Sequence, residues 1–229
     1  AGAALAQTVT GFGFSLLAVP PLTLVLDPAD AVAVALVLLV PANILVVAPE
    51  RADIDRVAAG WLLAGSAVGL PIGLVALRAL SADGLRLAVA IAVLGAVVVV
   101  VTGWPTVGHG APTLAAAGVV AGALTTSLTT NGPPAAIALQ GRGLRPNSFR
   151  PTIGVVIGST AAVGVVLFAG EGRLGGEVPA AAAVGLPAQL LGWAVGLRLR
   201  GRVPDRWSRL AVIGLLVLGA VVSAVAALR

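Results

Sequence analysis

Thr10-Gly11-Phe12-Gly13-Phe14-Ser15-Leu16-Leu17-Ala18-Val19-Pro20-Pro21 sets two glycines and two adjacent prolines inside Ala1–Leu26, a stretch that is otherwise strongly apolar. Glycine weakens a helix and proline removes a backbone donor, so this segment is expected to be discontinuous. A second apolar stretch, Thr113–Gln140, carries Thr129-Thr130-Asn131-Gly132-Pro133-Pro134 at the equivalent place. The sequence thus predicts helix breaks at Pro20, Pro21, Pro133 and Pro134. Backbone groups freed at membrane depth are tolerated only where protein or a wet cavity satisfies them. Gly and Pro are also frequent in membrane helices as kinks and packing points, and one break alone would favour neither reading. Breaks at matching positions of two halves point to a binding site.

The rest of the chain has the composition of a membrane protein. It is 59% hydrophobic and 10% charged, with a mean hydropathy of +1.07, against roughly 45–50% apolar content in soluble domains. Further apolar stretches lie at Ala31–Pro49, Val57–Leu77, Leu87–Gly103, Thr152–Gly170, Val178–Leu199 and Leu210–Leu228, each near the ~20 residues that a bilayer crossing takes. All nine Asp and Glu residues fall between these segments or at their ends. Cysteine is absent and His109 is the single histidine, which excludes disulfides, thiolate chemistry and a histidine metal cluster; neither metal nor cofactor is expected. All fourteen basic residues are arginine, in a chain rich in Ala, Gly and Val. That bias suggests a GC-rich bacterial genome, hence an inner-membrane protein, rather than a nucleic-acid surface. The lack of methionine leads to the expectation that residue 1 lies inside a longer product.

An internal repeat organises these segments. Leu26-Asp27-Pro28-Ala29-Asp30 aligns with Leu144-Arg145-Pro146-Asn147-Ser148 at an offset of 118. Gly69, Gly73 and Leu74 align with Gly192, Gly196 and Leu197 at an offset of 123, as does Arg86-Leu87-Ala88-Val89 with Arg209-Leu210-Ala211-Val212. The expected fold is an all-α integral membrane protein of about eight segments in two homologous four-segment repeats, residues 1–103 and 113–229, joined by a loop at 104–112. Ten of the fourteen arginines fall on one side whether the first and fifth segments span fully or form re-entrant hairpins. The positive-inside rule therefore leaves parallel and inverted repeats open, with a slight preference for inverted ones.

The paired breaks carry the chemistry. Amides at a half-helix N-terminus make an anion site without any charged side chain. Hydroxyls of Thr8, Thr10, Ser15, Thr129 and Thr130 and the amides of Gln7 and Asn131 add neutral donors, and Gly11, Gly13 and Gly132 allow close approach of backbone. Arg150 beside Pro151 is read either as a bidentate oxyanion contact or as an interfacial arginine. Asn43, Gln140 and Gln189 either line the path or bond between helices. Arg198, Arg200, Arg202, Arg206 and Arg209, with Trp207, read as an anchor to anionic lipid headgroups. Gly65-x-x-x-Gly69-x-x-x-Gly73 is a helix-packing face, within one subunit rather than between two, although a homo-oligomer stays open.

Gly11-Phe12-Gly13-Phe14-Ser15-Leu16-Leu17-Ala18-Val19-Pro20 resembles the glycine-rich first-repeat motif, ending in Val-Pro, of the sulfite exporter TauE/SafE family, also called the toluene-sulfonate uptake permease family. Asn131-Gly132-Pro133-Pro134, followed by Phe149-Arg150, resembles the second motif of that family. The resemblance runs along essentially the whole chain. Phe14, Ser15, Thr129 and Asn131 stand where the family pattern has glycine. The resemblance implies a transporter or exporter of sulfur-containing anions such as sulfite, thiosulfate or organosulfonates, driven by an ion gradient.

Coupling has fewer candidates, because proton-driven carriers often use an intramembrane carboxylate or histidine. Asp27 and Asp30, beside the first broken segment, are nearest; the alternatives are protons carried on the substrate, sodium on freed carbonyls, or uniport. An anion channel using the same helix ends is the rival reading. An enzyme is disfavoured, because no His, Asp, Glu or Cys constellation lies within the segments.

Overall fold

The computed structural model describes residues 1–81, 83–85, 87, 88, 91, 95 and 110–199; of these, the side chains of Val9, Thr10 and Pro146 are not described. Two short helices open the chain, α1 (Gly2–Thr10) and α2 (Phe14–Leu22), followed by α3 (Pro28–Val47), a 3-10 turn (Ala48–Asp53) and α4 (Arg56–Ala79). The second part has the same order: α5 (Ala111–Leu128), α6 (Gly132–Gly141), α7 (Pro146–Gly170) and α8 (Val178–Leu199). The segments expected around Leu87–Gly103 and Leu210–Leu228, His109, and the matching Arg86 and Arg209 tetrapeptides lie wholly or largely outside the described residues. Among the described residues, five helical stretches are long and apolar enough to cross a membrane: Pro28–Asp53, Arg56–Ala79, Ala111–Leu128, Asn147–Gly170 and Val178–Leu199.

α3 is the central helix. Its consecutive residues Ala31, Val32, Ala33, Val34, Ala35 and Leu36 are all fully buried, which requires neighbours on every side; α7, α8, α2 and α5 supply them. Both faces of α4 are apolar, and Leu62, Leu70, Leu74 and Leu77 are buried alongside a run of small residues. On α4 the small residues Ala58, Gly65, Ser66, Gly69 and Gly73 face inward, while Val57, Trp61, Val68, Ile72 and Val75 face outward. Large apolar groups on the outside suit lipid, and small ones inside let backbones approach.

The closest approach is between α4 and α5. A Cβ added to Gly65, Gly69 or Gly73 would stand 2.0, 2.0 and 1.9 Å from the carbonyl oxygens of Ala115, Val119 and Ala123. From the other side, a Cβ on Gly118 or Gly122 would meet the Leu62 and Ser66 carbonyl oxygens at 2.2 and 2.5 Å. Side-chain hydroxyls stitch the same seam: Ser66 Oγ donates to Gly118 O at 3.0 Å and Thr126 Oγ1 to Leu70 O at 2.7 Å. The Gly65-Gly69-Gly73 face thus packs within the chain. α8 lies on α1 in a related way, with a Cβ on Gly192 falling 2.1 Å from Ala1 O and one on Gly196 falling 2.7 Å from Thr8 Cβ. Under the sequence offsets Gly192 corresponds to Gly69, Gly196 to Gly73, Ala1 to Val119 and Thr8 to Thr126.

Polar contacts hold the helix ends. Asp55 caps α4, accepting from the N–H groups of Val57 and Ala58 at 3.0 and 2.9 Å, and it also accepts from Arg142 Nε at 3.1 Å. Its own N–H donates to Thr152 Oγ1 at 2.9 Å, which ties the cap to α7. Arg78 pairs with Glu171 at the far ends of α4 and α7. Burial pushes the Asp55 carboxyl up, but the hydrogen bonds from Ala58 and Arg142, the Arg142 charge and the Val57 hydrogen bond together hold it below its ordinary value.

The seam makes a paired prediction. Gly69→Val is expected to abolish the folded state in detergent, because both backbones would have to separate, whereas Gly60→Ala, at a helical glycine with nothing within 4 Å, is expected to raise stability by about 0.5–1 kcal/mol. Thermal unfolding of the two variants checks this.

Asp55→Ala is expected to cost about 0.5–2 kcal/mol at neutral pH as the α4 cap is lost. A lowered carboxylate pKa contributes stability that is fully present above the unfolded value and disappears as pH falls through the folded one. The gap between wild type and Asp55→Ala in a pH series of unfolding curves should therefore close below about pH 4.

Candidate functional site

The α1–α2 and α5–α6 junctions meet in the interior, and they are built alike. α1 ends at Gly11 in the left-handed region (φ 88°), and α2 begins at Phe14 after Gly13, also left-handed (φ 96°). α5 ends at Thr129, the sole non-glycine at positive φ among the described residues (φ 55°), and α6 begins at Gly132. Gly11 and Thr129 are 118 residues apart, as are Phe14 and Gly132, the offset read from the sequence. Left-handed backbone ends a helix readily at glycine but strains a β-branched threonine. Thr129 nevertheless does the work of a glycine, its N–H donating to Thr125 O at 3.0 Å and that of Thr130 to Leu124 O at 3.0 Å.

The prolines act differently from the sequence expectation. Pro20 and Pro21 lie inside α2 near its end, and the helix continues through them to Leu22. Pro133 and Pro134 occupy the first turn of α6, where a missing N–H costs nothing and the fixed φ helps start the helix. The interruptions are made at Gly11–Gly13 and at Thr129–Asn131. One consequence is chemical: α2 presents the first-turn N–H groups of Phe14, Ser15 and Leu16, whereas Pro133 and Pro134 remove two donors from α6. Similarly, α7 begins at Pro146, so Phe149 and Arg150 lie within its first turns and not ahead of the helix.

Between the junctions lies a small buried cavity, about 10 Å³ in volume. It brings together seven of the residues singled out from sequence: Gln7, Gly13, Ser15, Thr129, Thr130, Asn131 and Gly132, with Phe14, Leu16, Leu39 and Ile157 as apolar walls. Its lining among the described residues is neutral. Gln7 Nε2 donates to Asn43 Oδ1 at 3.0 Å, and Asn131 Nδ2 to Thr160 Oγ1 at 3.0 Å, so each amide is aimed by a neighbouring long helix. The Thr129 and Thr130 hydroxyls both donate to Leu128 O, at 2.6 and 3.1 Å. Asn43, Leu39, Ile157 and Thr160 had no motif to mark them as partners of this cavity; only Asn43 stood out, as an amide in an apolar segment.

The other expected residues lie elsewhere. Thr8 Oγ1 donates to Ala4 O at 2.7 Å and the residue packs on Gly196. Gly11 packs against Arg150, whose Cγ would be 3.3 Å from an added Cβ. The Arg150 guanidinium donates to Thr8 O, at the C-terminal end of α1, and approaches Glu50 Oε1 at 3.8 Å. Arg150 therefore caps a helix next to the cavity without lining it. Asp27 is exposed at the N-cap of α3 and Asp30 is half-buried in its first turn, and neither reaches the cavity. Gln140 is exposed at the end of α6. The Thr10 side chain lies outside the described residues. A larger groove of about 700 Å³ runs along α5 and α6 past Val120, Leu124 and Ile137, but its lining is almost wholly apolar and unsuited to an anion.

The family model for Sulfite exporter TauE/SafE matches residues 1–223. No curated protein and no solved structure matches the chain.

Strain at Thr129 is open to a direct check. Thr129→Gly, which places at this junction what Gly11 supplies at the other, is expected to raise unfolding stability by about 1 kcal/mol, since left-handed backbone costs an L-residue about that much. Thermal unfolding in detergent reads the change.

Proposed function

Because the chain belongs to the Sulfite exporter TauE/SafE family, a family of membrane transporters, we propose that it carries small sulfur-containing anions such as sulfite, thiosulfate or organosulfonates across a bacterial inner membrane. The substrate is held between the α1–α2 and α5–α6 junctions. The observation that carries this reading is the buried cavity where two helix starts converge with Ser15, Asn131 and Gln7 around a lining without charge. The N-terminal end of α2 offers uncapped N–H groups and a favourable dipole to an anion. Neutral donors also suit a carrier, which must release what it binds.

Alternating access between two inverted repeats, residues 1–103 and 113–229, is the mechanism we favour. Its support is the exchange of partners: α4 of the first part packs on α5 of the second, while α8 of the second packs on α1 of the first, with corresponding residues in contact. That exchange is what a two-fold axis through the α3–α7 contact would produce, whether the repeats are inverted or parallel, and the preference for inverted ones rests on the sequence reading. At about 10 Å³ the cavity is too small for a sulfur oxyanion, which fits an occluded arrangement better than an open channel. No carboxylate lines it among the described residues, so a proton carried on the substrate or a sodium ion on backbone carbonyls is a better coupling route than Asp27 or Asp30.

The test is uptake into sealed proteoliposomes of sulfite, thiosulfate, sulfoacetate, chloride and acetate, with and without an imposed proton gradient. Saturable flux of a sulfur oxyanion is expected, and Asn131→Leu should lower it about tenfold to a hundredfold, the worth of one hydrogen bond to a charged group, with membrane insertion unchanged. Full flux through Asn131→Leu would remove this cavity from the reading.

A further inference from the structure

A second buried polar cavity lies on the other side of Gln7. Ala4, Gln7, Thr8, Ala42, Val46, Gln189 and Trp193 enclose it between α1, α3 and α8, and at about 10 Å³ it has the room that one water molecule needs. Four buried polar atoms of its walls have no hydrogen-bond partner: Gln189 Oε1 and Nε2, Trp193 Nε1 and Gln7 Oε1. Gln189 is only 2% exposed and stands near the middle of the 22-residue α8, at membrane depth. Polar groups buried in hydrocarbon surroundings are normally paired, so an amide left with neither end engaged calls for a role.

Comparison with the corresponding place in the first part sharpens the point. Under the offset of 123, Gln189 corresponds to Ser66 and Trp193 to Leu70. Ser66 is fully engaged, its hydroxyl donating to Leu62 O at 2.8 Å and Gly118 O at 3.0 Å, and Leu70 O accepts from Thr126. The α4–α5 seam is thus closed by its own hydroxyls, whereas the α1–α8 seam carries an unpaired amide and an unpaired indole N–H on residues that line a cavity. Gln7 connects this cavity to the candidate substrate site. It lines both, and the bond from its Nε2 to Asn43 holds its Oε1 unpaired.

Resting on the transport reading above, we propose that Gln189 and Trp193 form a second subsite for the same small oxyanion, so that the permeation path leaves the central cavity past Gln7 along the α1–α8 seam. The Gln189 amide and Trp193 indole N–H groups donate to the oxyanion. The Gln189 and Gln7 carbonyl oxygens accept from its water or from its hydroxyl when it is protonated. Passage of the anion requires the seam to widen beyond the arrangement seen here.

The chain has no cysteine, so single cysteines report without background. In membranes, Gln189→Cys is expected to react with a small charged methanethiosulfonate reagent, while the equally buried Ala33→Cys in α3 stays inert. In proteoliposomes, Gln189→Leu is expected to lower sulfur-anion flux at least about tenfold, the loss of a hydrogen bond to a charged group. Its thermal stability should stay equal or rise, because two unpaired polar atoms are removed. A purely structural glutamine predicts the opposite pattern, and either Gln189→Cys as inert as Ala33→Cys or Gln189→Leu with wild-type flux overturns the proposal. Absence of any sulfur-anion flux in the wild-type chain would instead remove the transport reading, and the labelling contrast would then decide by itself whether the seam is an aqueous path.

Discussion

Backbone-to-backbone contact between α4 and α5 is the constraint on which the remaining arrangement rests. Lipid provides no hydrophobic drive for one apolar helix to leave it for another, so association depends on close packing and on hydrogen bonds across the contact. Gly65, Gly69 and Gly73 on one helix and Gly118 and Gly122 on the other place carbonyl oxygens where side chains would otherwise begin. The Ser66 and Thr126 hydroxyls then bond across the gap to carbonyls of the opposite helix. Because α5 is held along this line, its C-terminal end is fixed in space. Thr129 turns the chain from that end into the central cavity.

The two corresponding seams are unequal, and the inequality has a residue-level cause. Where α4 offers Ser66, short enough to bond within the seam, α8 offers Gln189, too long to fold back in the same way. Both seams keep their glycines, so the backbones still approach, at Gly69 and Gly73 in one case and at Gly192 and Gly196 in the other. A seam satisfied by its own groups behaves as a fixed joint. A seam with an unpaired amide has a reason to admit water or a polar solute, and on the carrier reading proposed above that difference in satisfaction would leave one seam fixed and the other permissive.

Much of the fold was legible in the sequence because the bilayer imposes a simple code. Apolar length marked α3, α4, α7 and α8, and the Gly65-Gly69-Gly73 spacing marked a packing face whose partner, α5, could not be named from spacing alone. The sequence pointed to breaks at Pro20, Pro21, Pro133 and Pro134, whereas the helix ends described lie at Gly11–Gly13 and Thr129–Asn131. Proline is conspicuous in a sequence, yet Pro133 and Pro134 sit where a helix start tolerates them, and Pro21 lies at the penultimate position of α2. Thr129 stood out as a hydroxyl donor at a position where the family pattern has glycine, but its left-handed backbone did not, since a β-branched residue is a poor candidate for that conformation; its alignment with Gly11 at the common offset pointed the same way. Of the residues singled out from sequence, seven neutral ones line a common cavity, while Thr8, Gly11 and Arg150 do not. Arg150 shows why: sequence reveals a charge beside a motif but not the carbonyl to which it turns.

Where Arg150 turns bears on how a cavity with a neutral lining would attract the anion proposed for it. A helix junction brings together two opposed poles, the carbonyl end of one helix and the amide end of the next, and left alone they would largely cancel. Here some of the terminal carbonyls are engaged at both junctions. Arg150 donates to Thr8 O near the end of α1, with Glu50 at 3.8 Å moderating its charge. At the end of α5, the N–H groups of Thr129 and Thr130 and both of their hydroxyls are spent on the carbonyls of Leu124, Thr125 and Leu128. The amide pole of α2 has no side-chain cap. An anion proposed to sit in the cavity would then meet the uncapped amide end of α2 and no cation in the wall, whereas a direct arginine contact, worth about 4 kcal/mol at 4 Å near a protein surface, would add to the work of release. On the transport reading proposed above, an arginine behind the carbonyl pole would favour an anion's entry without holding it there.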